Sequence, residues 1–247
     1  MKVVYVGQPF DRFFPPVQNS IGLIVYYTAL ELAGHIDITL YGKHFRDDVL
    51  PERLPFNVRH LAVPGDTLLQ KLIAKYAREA RWLRMGGLAD DHREYRNKVR
   101  RRLAKDCPDL VHIMNYWAWC RDLKPPGSRR KLVLEMQCEW LSERRRDQVA
   151  HQLEVVDAVV AVSDHIATTF RAAFPNYCGV VATVGNGVDV VHFHPRIEAV
   201  ARDAKKRRTI LFVGRISPEK GLHTLIEAFS LVAQASPDVE LSLARPQ

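Results

Sequence analysis

A mostly parallel α/β fold is predicted from three observations. Strand-like runs alternate with helix-length segments along most of the chain, which argues for a sheet covered on both faces. The strand runs are short, β-branched and continuous rather than alternating, as in buried parallel strands. A turn-rich, basic break near residues 186–208 then separates this series from a new strand–loop–helix–strand unit.

The elements follow in order. "KVVYV" (2–6) is the first strand, and "SIGLIVYYTALELA" (20–33) crowds apolar residues through a helix-length stretch. "IDITLYG" (36–42) and "FNVRHLAV" (56–63) are the next strands. Residues 67–105 read as two helices broken at Gly86-Gly87. "DLVHIM" (109–114) and "KLVLEM" (131–136) are strands, and "LSERRRDQVAHQLEVV" (141–156) is a helix. "DAVVAV" (157–162) leads into "SDHIATTFRAAF" (163–174), a helix capped by Ser163 or Asp164. "GVVATV" (179–184) closes the series. The domain organisation expected is a first domain over 1–190, a linker over 191–208 and an incomplete second domain over 209–247.

Composition sets wide bounds. The chain has 247 residues, 47% hydrophobic and 26% charged, ordinary for a soluble globular protein. A formal net charge of +8 favours an anionic contact: nucleic acid, an acidic membrane surface or a phosphorylated substrate. Cys107, Cys120, Cys138 and Cys178 form no CxxC pair and no zinc-spaced cluster with histidine, so free thiols in a reducing compartment are expected. The N-terminus "MKVVYVGQPF" lacks the apolar length and cleavage site of a signal peptide. No stretch approaches the ~20 apolar residues of a membrane span. A cytoplasmic location is expected, with peripheral contact at the inner face of a membrane left open.

The stretch "ILFVGRISPEKGLHTLIEAF" (210–229) carries the most chemistry. A buried-type strand ends at Gly214, where a sharp turn is needed. Ser217 suits an N-cap, Pro218 the first helical position, and Glu219 the positive end of the helix dipole. Leu222, Leu225, Ile226 and Phe229 fall on one face, expected to be buried. Arg215 and Lys220 flank the helix start, where free N–H groups, the dipole and two cations converge outside the strand's carboxyl end. That is where α/β proteins bind phosphorylated ligands. Two simply solvated side chains are the alternative reading.

"FVGRISPEKGLHTLIEAF" resembles a signature of the family 4 retaining glycosyltransferases, which have the GT-B architecture. Three further segments resemble the same family in the same order. "DLVHIM" is similar to its Asp-x-Val-His strand, and "VDAVVAVSDHIATTF" to its Ala-Asp-x-Val-x-x-x-Ser strand and helix. "VGNGVDVVHFHP" is similar to its Asn-Gly-Val-Asp-x-x-x-Phe-x-Pro segment. Ordered matches from about residue 109 to the end are more specific than any one motif.

The resemblance implies two Rossmann-like domains facing a cleft, with the acceptor on the N-terminal domain and a nucleotide-diphosphate sugar on the C-terminal one. Arg215 and Lys220 match the pair that contacts the donor diphosphate and neutralises charge on the leaving group. No cofactor is implied, and no metal is required if cations do that work. The expected partners are the nucleotide-sugar donor and a sugar or lipid-linked acceptor.

Three departures stand out. The family's Gly-Gly pair in the loop after the first strand falls on Asn19-Ser20 here, with Gly22 nearby. The histidine that many members carry after the strand matching "KLVLEMQ" aligns with Gln137, which can hydrogen-bond a sugar but cannot act as a base. The paired-glutamate motif of the family lies well beyond the terminal strand–helix–strand unit, so the catalytic residues are unassigned and this chain, read as truncated, is expected to be weakly active or inactive.

Other residues carry two readings each. His112 faces the cleft or is a packed strand histidine. Tyr116, Trp117 and Trp119 stack on a sugar or pack in the core. Asp11, the only carboxylate of the 7–22 loop, is expected to be solvated. The basic stretches 78–84, 92–106, 143–146 and 205–208 are solvated faces, or a patch for an anionic membrane. No nucleic-acid-binding pattern is present. The rival to an enzyme is a non-enzymatic acceptor- or partner-binding half that needs a second chain.

Overall fold

A computed structural model of the chain describes residues 1–14, 18–45, 49, 51–61, 92–194 and 208–244. The first helix expected within 67–105, its Gly86-Gly87 break, the 78–84 basic stretch and most of the 191–208 linker lie outside the described residues. The chain divides into two units, Met1–Gly187 and Val188–Gln247.

The first unit is a seven-stranded sheet with the order β3-β2-β1-β4-β5-β6-β7. Its strands are β1 (Lys2–Val6), β2 (Asp37–Lys43), β3 (Asn57–Leu61), β4 (Leu110–Met114), β5 (Lys131–Met136), β6 (Ala158–Ala161) and β7 (Val180–Thr183). Every pairing is parallel, with Val4 opposite Thr39 on one side and Val111 on the other. This is a Rossmann-like arrangement. The helices are α1 (Ser20–Leu32), α2 (Arg93–Asp106), α3 (Cys120–Leu123), α4 (Arg146–Leu153) and α5 (Asp164–Ala173).

The strand order reverses direction at β1, so right-handed crossovers place the helices on opposite faces. Helix α1 buries Val25 and Ala29 against Val3, Tyr5, Ile38 and Leu40 on one face. Helices α2 to α5 bury Val99, Leu123, Val149 and Phe170 against Val4, Val111, Leu132, Leu134 and Val159 on the other. Alternate residues of a continuous apolar strand thus feed two cores, which is why β1 shows no polar alternation.

Most elements sit where periodicity puts them. The helix expected over 141–156 is shorter: a single 3₁₀ turn at Glu139–Leu141 precedes α4, which starts only at Arg146. The β4–β5 crossover holds a 3₁₀ turn at Trp117–Trp119 and the one-turn α3, neither of which periodicity can register in so few residues. Ser163 caps α5 by accepting from Ile166 N at 3.3 Å.

Asp157 ties the foot of β6 to its neighbours. Its carboxylate accepts from Lys124 Nζ (2.5 Å), Lys131 Nζ (3.0 Å) and Leu132 N (2.8 Å). Burial alone would raise its pKa. The hydrogen bond from Lys124, then those from Leu132 N and Lys131, outweigh that and hold it below the usual carboxylate range. A depressed carboxylate contributes stability that is present above its unfolded pKa and is lost as pH falls through the folded value, below about 4. Asp157→Asn should therefore cost about 1–2 kcal/mol at neutral pH and much less in acid, read from urea midpoints.

The second unit is a parallel pair, β8 (Arg208–Val213) and β9 (Val239–Ala244), joined by α6 (Leu222–Ala235). The helix expected to begin at Pro218 is interrupted. Pro218–Lys220 form a 3₁₀ turn, Gly221 adopts φ 66°, and α6 starts after it. The left-handed conformation at Gly221 is accessible to glycine at little cost. Only Leu222 of the predicted apolar face is fully buried, and Ile226 is 49% exposed. Two strands are too narrow a floor to cover a helix's whole apolar stripe.

Candidate functional site

In a parallel sheet all carboxyl ends lie on one edge, and ligands bind where the strand order reverses. In the first unit that point lies between β1 and β4. The loop after β1 and the loop after β4 flank it.

The β1–α1 loop is knitted around a carboxylate. Asp11, expected to be solvated, is 1% exposed. It accepts from Gln8 N (2.7 Å), Gln8 Nε2 (3.2 Å) and Asn19 Nδ2 (3.0 Å). Burial pushes its pKa up to about 6, against the opposing pull of those hydrogen bonds. Loop carboxylates are usually wet because loops run over the surface. Here the loop folds back on itself and removes the water.

Asn19 is the N-cap of α1, with its Oδ1 accepting from Gly22 N at 2.8 Å. Both ends of its amide are thus used inside the loop. Ser20 is exposed at the start of the helix. Gly22 has a packing role: a Cβ there would stand 1.8 Å from the Arg12 carbonyl oxygen.

His112 lies within β4 rather than at its end. Its ring stacks on Tyr5 with centroids 4.6 Å apart, and its Nε2 is 2.8 Å from Glu135 Oε2. Tyr5 is pushed up to about 12, first by burial and then by the Glu135 charge. Glu135 Oε1 also accepts from Gln137 Nε2 at 2.5 Å. The Gln137 amide makes a reciprocal pair with Asn186, at 3.1 and 2.9 Å. A polar row thus runs across the sheet from His112 through Glu135 and Gln137 to Asn186, bringing together two predicted residues. Glu135 was missed by sequence reasoning. Its signal was a lone acid inside an apolar strand, which demands a partner.

Asn115 was also missed. It is 5% exposed with φ 54°, a conformation Asn tolerates better than most residues. Its N donates to Glu135 O (2.7 Å) and its Oδ1 accepts from Gln137 N (2.7 Å), fastening the exits of β4 and β5 together.

Tyr116 and Trp117 are half-buried and pack against the core, while Trp119 is 0% exposed and belongs to it. The Tyr116 ring lies 4.3 Å from Trp119 and 6.4 Å from His92, which is 6.5 Å from Phe10. These rings join the loops on either side of the switch point. On the same edge, His165 Nε2 contacts Glu139 Oε1, and both side chains are exposed. Among the described residues no group of three or more His, Cys, Asp or Glu could hold a metal ion.

In the second unit, Arg215 and Lys220 flank the turn between β8 and α6. Arg215 Nη2 is 3.3 Å from Glu219 Oε1, both largely exposed. Lys220 is exposed, its backbone N–H donates to Ser217 O at 3.0 Å, and its charge, after a hydrogen bond from the Glu219 N–H and the charge of Arg215, helps to hold Glu219 below the usual carboxylate range. The Gly221 N–H donates to Pro218 O at 3.0 Å, so the free N–H groups of α6 begin at Leu222, two residues beyond Lys220.

Residues 176–244 match the family described as "Glycosyl transferases group 1". The Bacillus subtilis (strain 168) spore coat protein SA is 30% identical over 161 residues, 60% of this chain and 43% of that protein. A putative glycosyltransferase, YtcC, from the same organism is 30% identical over 162 residues, 61% of this chain and 40% of its own length. These alignments thus cover less than half the length of either curated relative. Sucrose-phosphate synthase from Thermosynechococcus elongatus matches with a TM-score of 0.70 at 16% identity, over 98% of this chain and 62% of that one. Anabaena HepE, solved in complex with UDP-glucose, matches with a TM-score of 0.57 at 19% identity, over 98% and 60%. The structural likenesses establish the fold. The family match concerns residues 176–244.

Proposed function

We propose that this chain serves transfer of a sugar from a nucleotide-diphosphate sugar to an acceptor hydroxyl, with retention at the anomeric carbon, as in the family 4 enzymes it resembles. The observation that carries this reading is the β8–α6 turn, which sets Arg215 and Lys220 beside a helix N-terminus within the segment that matches the glycosyltransferase family. The two cations and the Gly221 end of α6 would hold the donor diphosphate and neutralise charge on the leaving group. Residues 209–247 would belong to the donor side and residues 1–190 to the acceptor side, joined by 191–208. In the acceptor domain Tyr116 and Trp117 offer ring faces to a sugar, and His112 and Gln137 supply polar contacts. Ser20 and the Gly22 turn stand at the α1 terminus for the donor side, with Asn19 shaping that turn.

Donor binding reports on Arg215 and Lys220 separately from the acceptor and from turnover. The test is therefore binding. Titration of UDP-glucose should give saturable heat, and Arg215→Ala or Lys220→Ala should each weaken binding about tenfold or more. Equal affinity in both variants and the parent would sink the assignment.

A second reading is favoured by the second unit's apolar surface. Leu211 is 61%, Val213 67% and Leu231 68% exposed. A two-stranded sheet with such faces is not expected to be stable on its own. Under this reading the chain is a binding half completed by a second polypeptide. Monodisperse sedimentation of the chain alone, at micromolar concentration, would count against it.

A further inference from the structure

Helix α2 carries seven cations in 14 residues: Arg93, Arg96, Lys98, Arg100, Arg101, Arg102 and Lys105. Tyr95, Val99 and Leu103 form its buried side. Three of the cations are compensated, Arg96 by Asp122 (3.1 Å), Lys98 by Glu94 (3.7 Å) and Arg102 by Asp106 (2.9 Å). Arg93, Arg100, Arg101 and Lys105 are exposed and have no acidic partner among the described residues. Arg129 adds a fifth unpaired exposed cation. It lies beside the end of α2, because the adjacent Arg130 donates to Leu103 O at 3.3 Å.

This charge works against the helix that bears it. Arg96/Arg100, Lys98/Arg102 and Arg101/Lys105 are like charges at i,i+4, and Arg93 sits at the positive end of the dipole. Local helix stability does not account for the pattern. An external anionic surface would relieve it.

Position narrows the choice of surface. Helix α2 begins at His92, which meets Tyr116 and Phe10 at the carboxyl edge of the sheet. Phe10 is 47% exposed there. The stripe therefore starts at the proposed acceptor side and runs back along roughly 20 Å of helix. A broad face of cations, spread over roughly 140° of the helix surface at 3.6 residues per turn, with one exposed aromatic at its head suits the plane of a lipid headgroup layer, where cations meet phosphates and the ring meets the interface. No exposed aromatic lies along this face to stack on bases, as single-stranded nucleic acid would require.

We propose that the outer face of α2, with Arg129, docks this protein peripherally on an anionic lipid surface. Its placement beside the acceptor residues rests on the glycosyl-transfer reading, whereas lipid binding is measured without turnover and so fails or holds separately. The described residues contain no helix long and apolar enough to cross a membrane, so the contact is electrostatic and reversible by salt.

The test is flotation of the chain with vesicles of phosphatidylcholine containing about one-third phosphatidylglycerol, against phosphatidylcholine alone. Binding is expected only to the anionic vesicles, and should fall at least tenfold from about 0.1 M to 0.5 M salt. Since each interfacial cation strengthens binding about fivefold, the pair Arg100→Glu/Arg101→Glu should lower it more than tenfold. The pair Arg144→Glu/Arg146→Glu, on another exposed segment with the same charge change, should lower it less than threefold. Circular dichroism checks that both variants are folded, and Arg100→Gln/Arg101→Gln gives a milder version of the same loss. Equal loss in the two glutamate pairs would assign binding to net charge and overturn the proposal. So would failure to bind anionic vesicles, with or without tight binding to a DNA duplex.

Discussion

Gly22→Ala should melt roughly 4–8 °C below the parent chain, monitored by circular dichroism at neutral pH. Two effects compete. Alanine is the better helix former by about 1 kcal/mol, and Gly22 is the third residue of α1. Against that, the added Cβ would stand 1.8 Å from the Arg12 carbonyl oxygen and 2.5 Å from its carbonyl carbon. These are backbone atoms, so no rotamer change relieves the contact. Either α1 or the β1–α1 loop must move, at a cost of about 3 kcal/mol, which exceeds the propensity gain. The shift would also disturb Asn19 Oδ1, which lies 2.8 Å from the same Cβ. Gly34→Ala is the internal control, since nothing lies within 4 Å of a Cβ there. That variant should be neutral or slightly stabilised. A Gly22→Ala protein as stable as the control would show that α1 does not rest on the loop in this way.

The second large effect concerns Asp11. Its carboxyl is pushed up to about 6 by burial, above the ordinary unfolded value of about 3.9. The sign follows from linkage. Between the two values the folded state binds the proton and the unfolded state does not, so stability falls as pH rises from about 4 to about 6 and is then level. The ionised carboxylate thus costs about 3 kcal/mol near neutrality, an order-of-magnitude figure from the pKa shift. Asp11→Asn removes the charge but turns an N–H group toward the donors that Asp11 now accepts from. That penalty is independent of pH. The difference in stability between parent and variant should therefore change by about 2 kcal/mol across this window, with the variant doing relatively better at pH 7.5 than at pH 4.5. Paired urea titrations at the two pH values measure it, and a constant difference would refute the buried, unpaired carboxylate. Asp157 shifts in the opposite direction and is common to both proteins, so it cancels in the comparison. A carboxyl that titrates near pH 6 at the carboxyl edge of a parallel sheet is also the kind of group that functional sites contain.

Much of the fold was legible because its signals are local. Continuous β-branched runs marked the strands of the first unit, and the cap at Ser163 is turn chemistry within three residues of the donor it serves. The strand KLVLEM and the helix after Ser163 sit where those patterns place them. The short elements between β4 and β5 were invisible because a single turn has too few residues to show a period.

The candidate site divides in the same way. That Arg215 and Lys220 stand in the turn between a strand and a helix is dictated by residues 209–226 themselves, and so is the basic character of α2; but β8, which reads as a buried strand, is exposed along most of its length because the second unit covers it with a single helix. What those residues face could only be decided in three dimensions. Asp11 loses its water because Gln8 and Asn19, three before it and eight after it, close over it. His112 meets Glu135 across neighbouring strands, 23 residues away, and Gln137 meets Asn186 49 residues away. Gly22 is required by the backbone of Arg12, ten residues earlier. Sequence alone determined which segments are strands and helices and where charge is concentrated, because propensity, capping and periodicity act over one or two turns. Tertiary structure alone decided which polar groups are dry, paired or packed, because desolvation and hydrogen bonding depend on neighbours that the chain brings together only by folding.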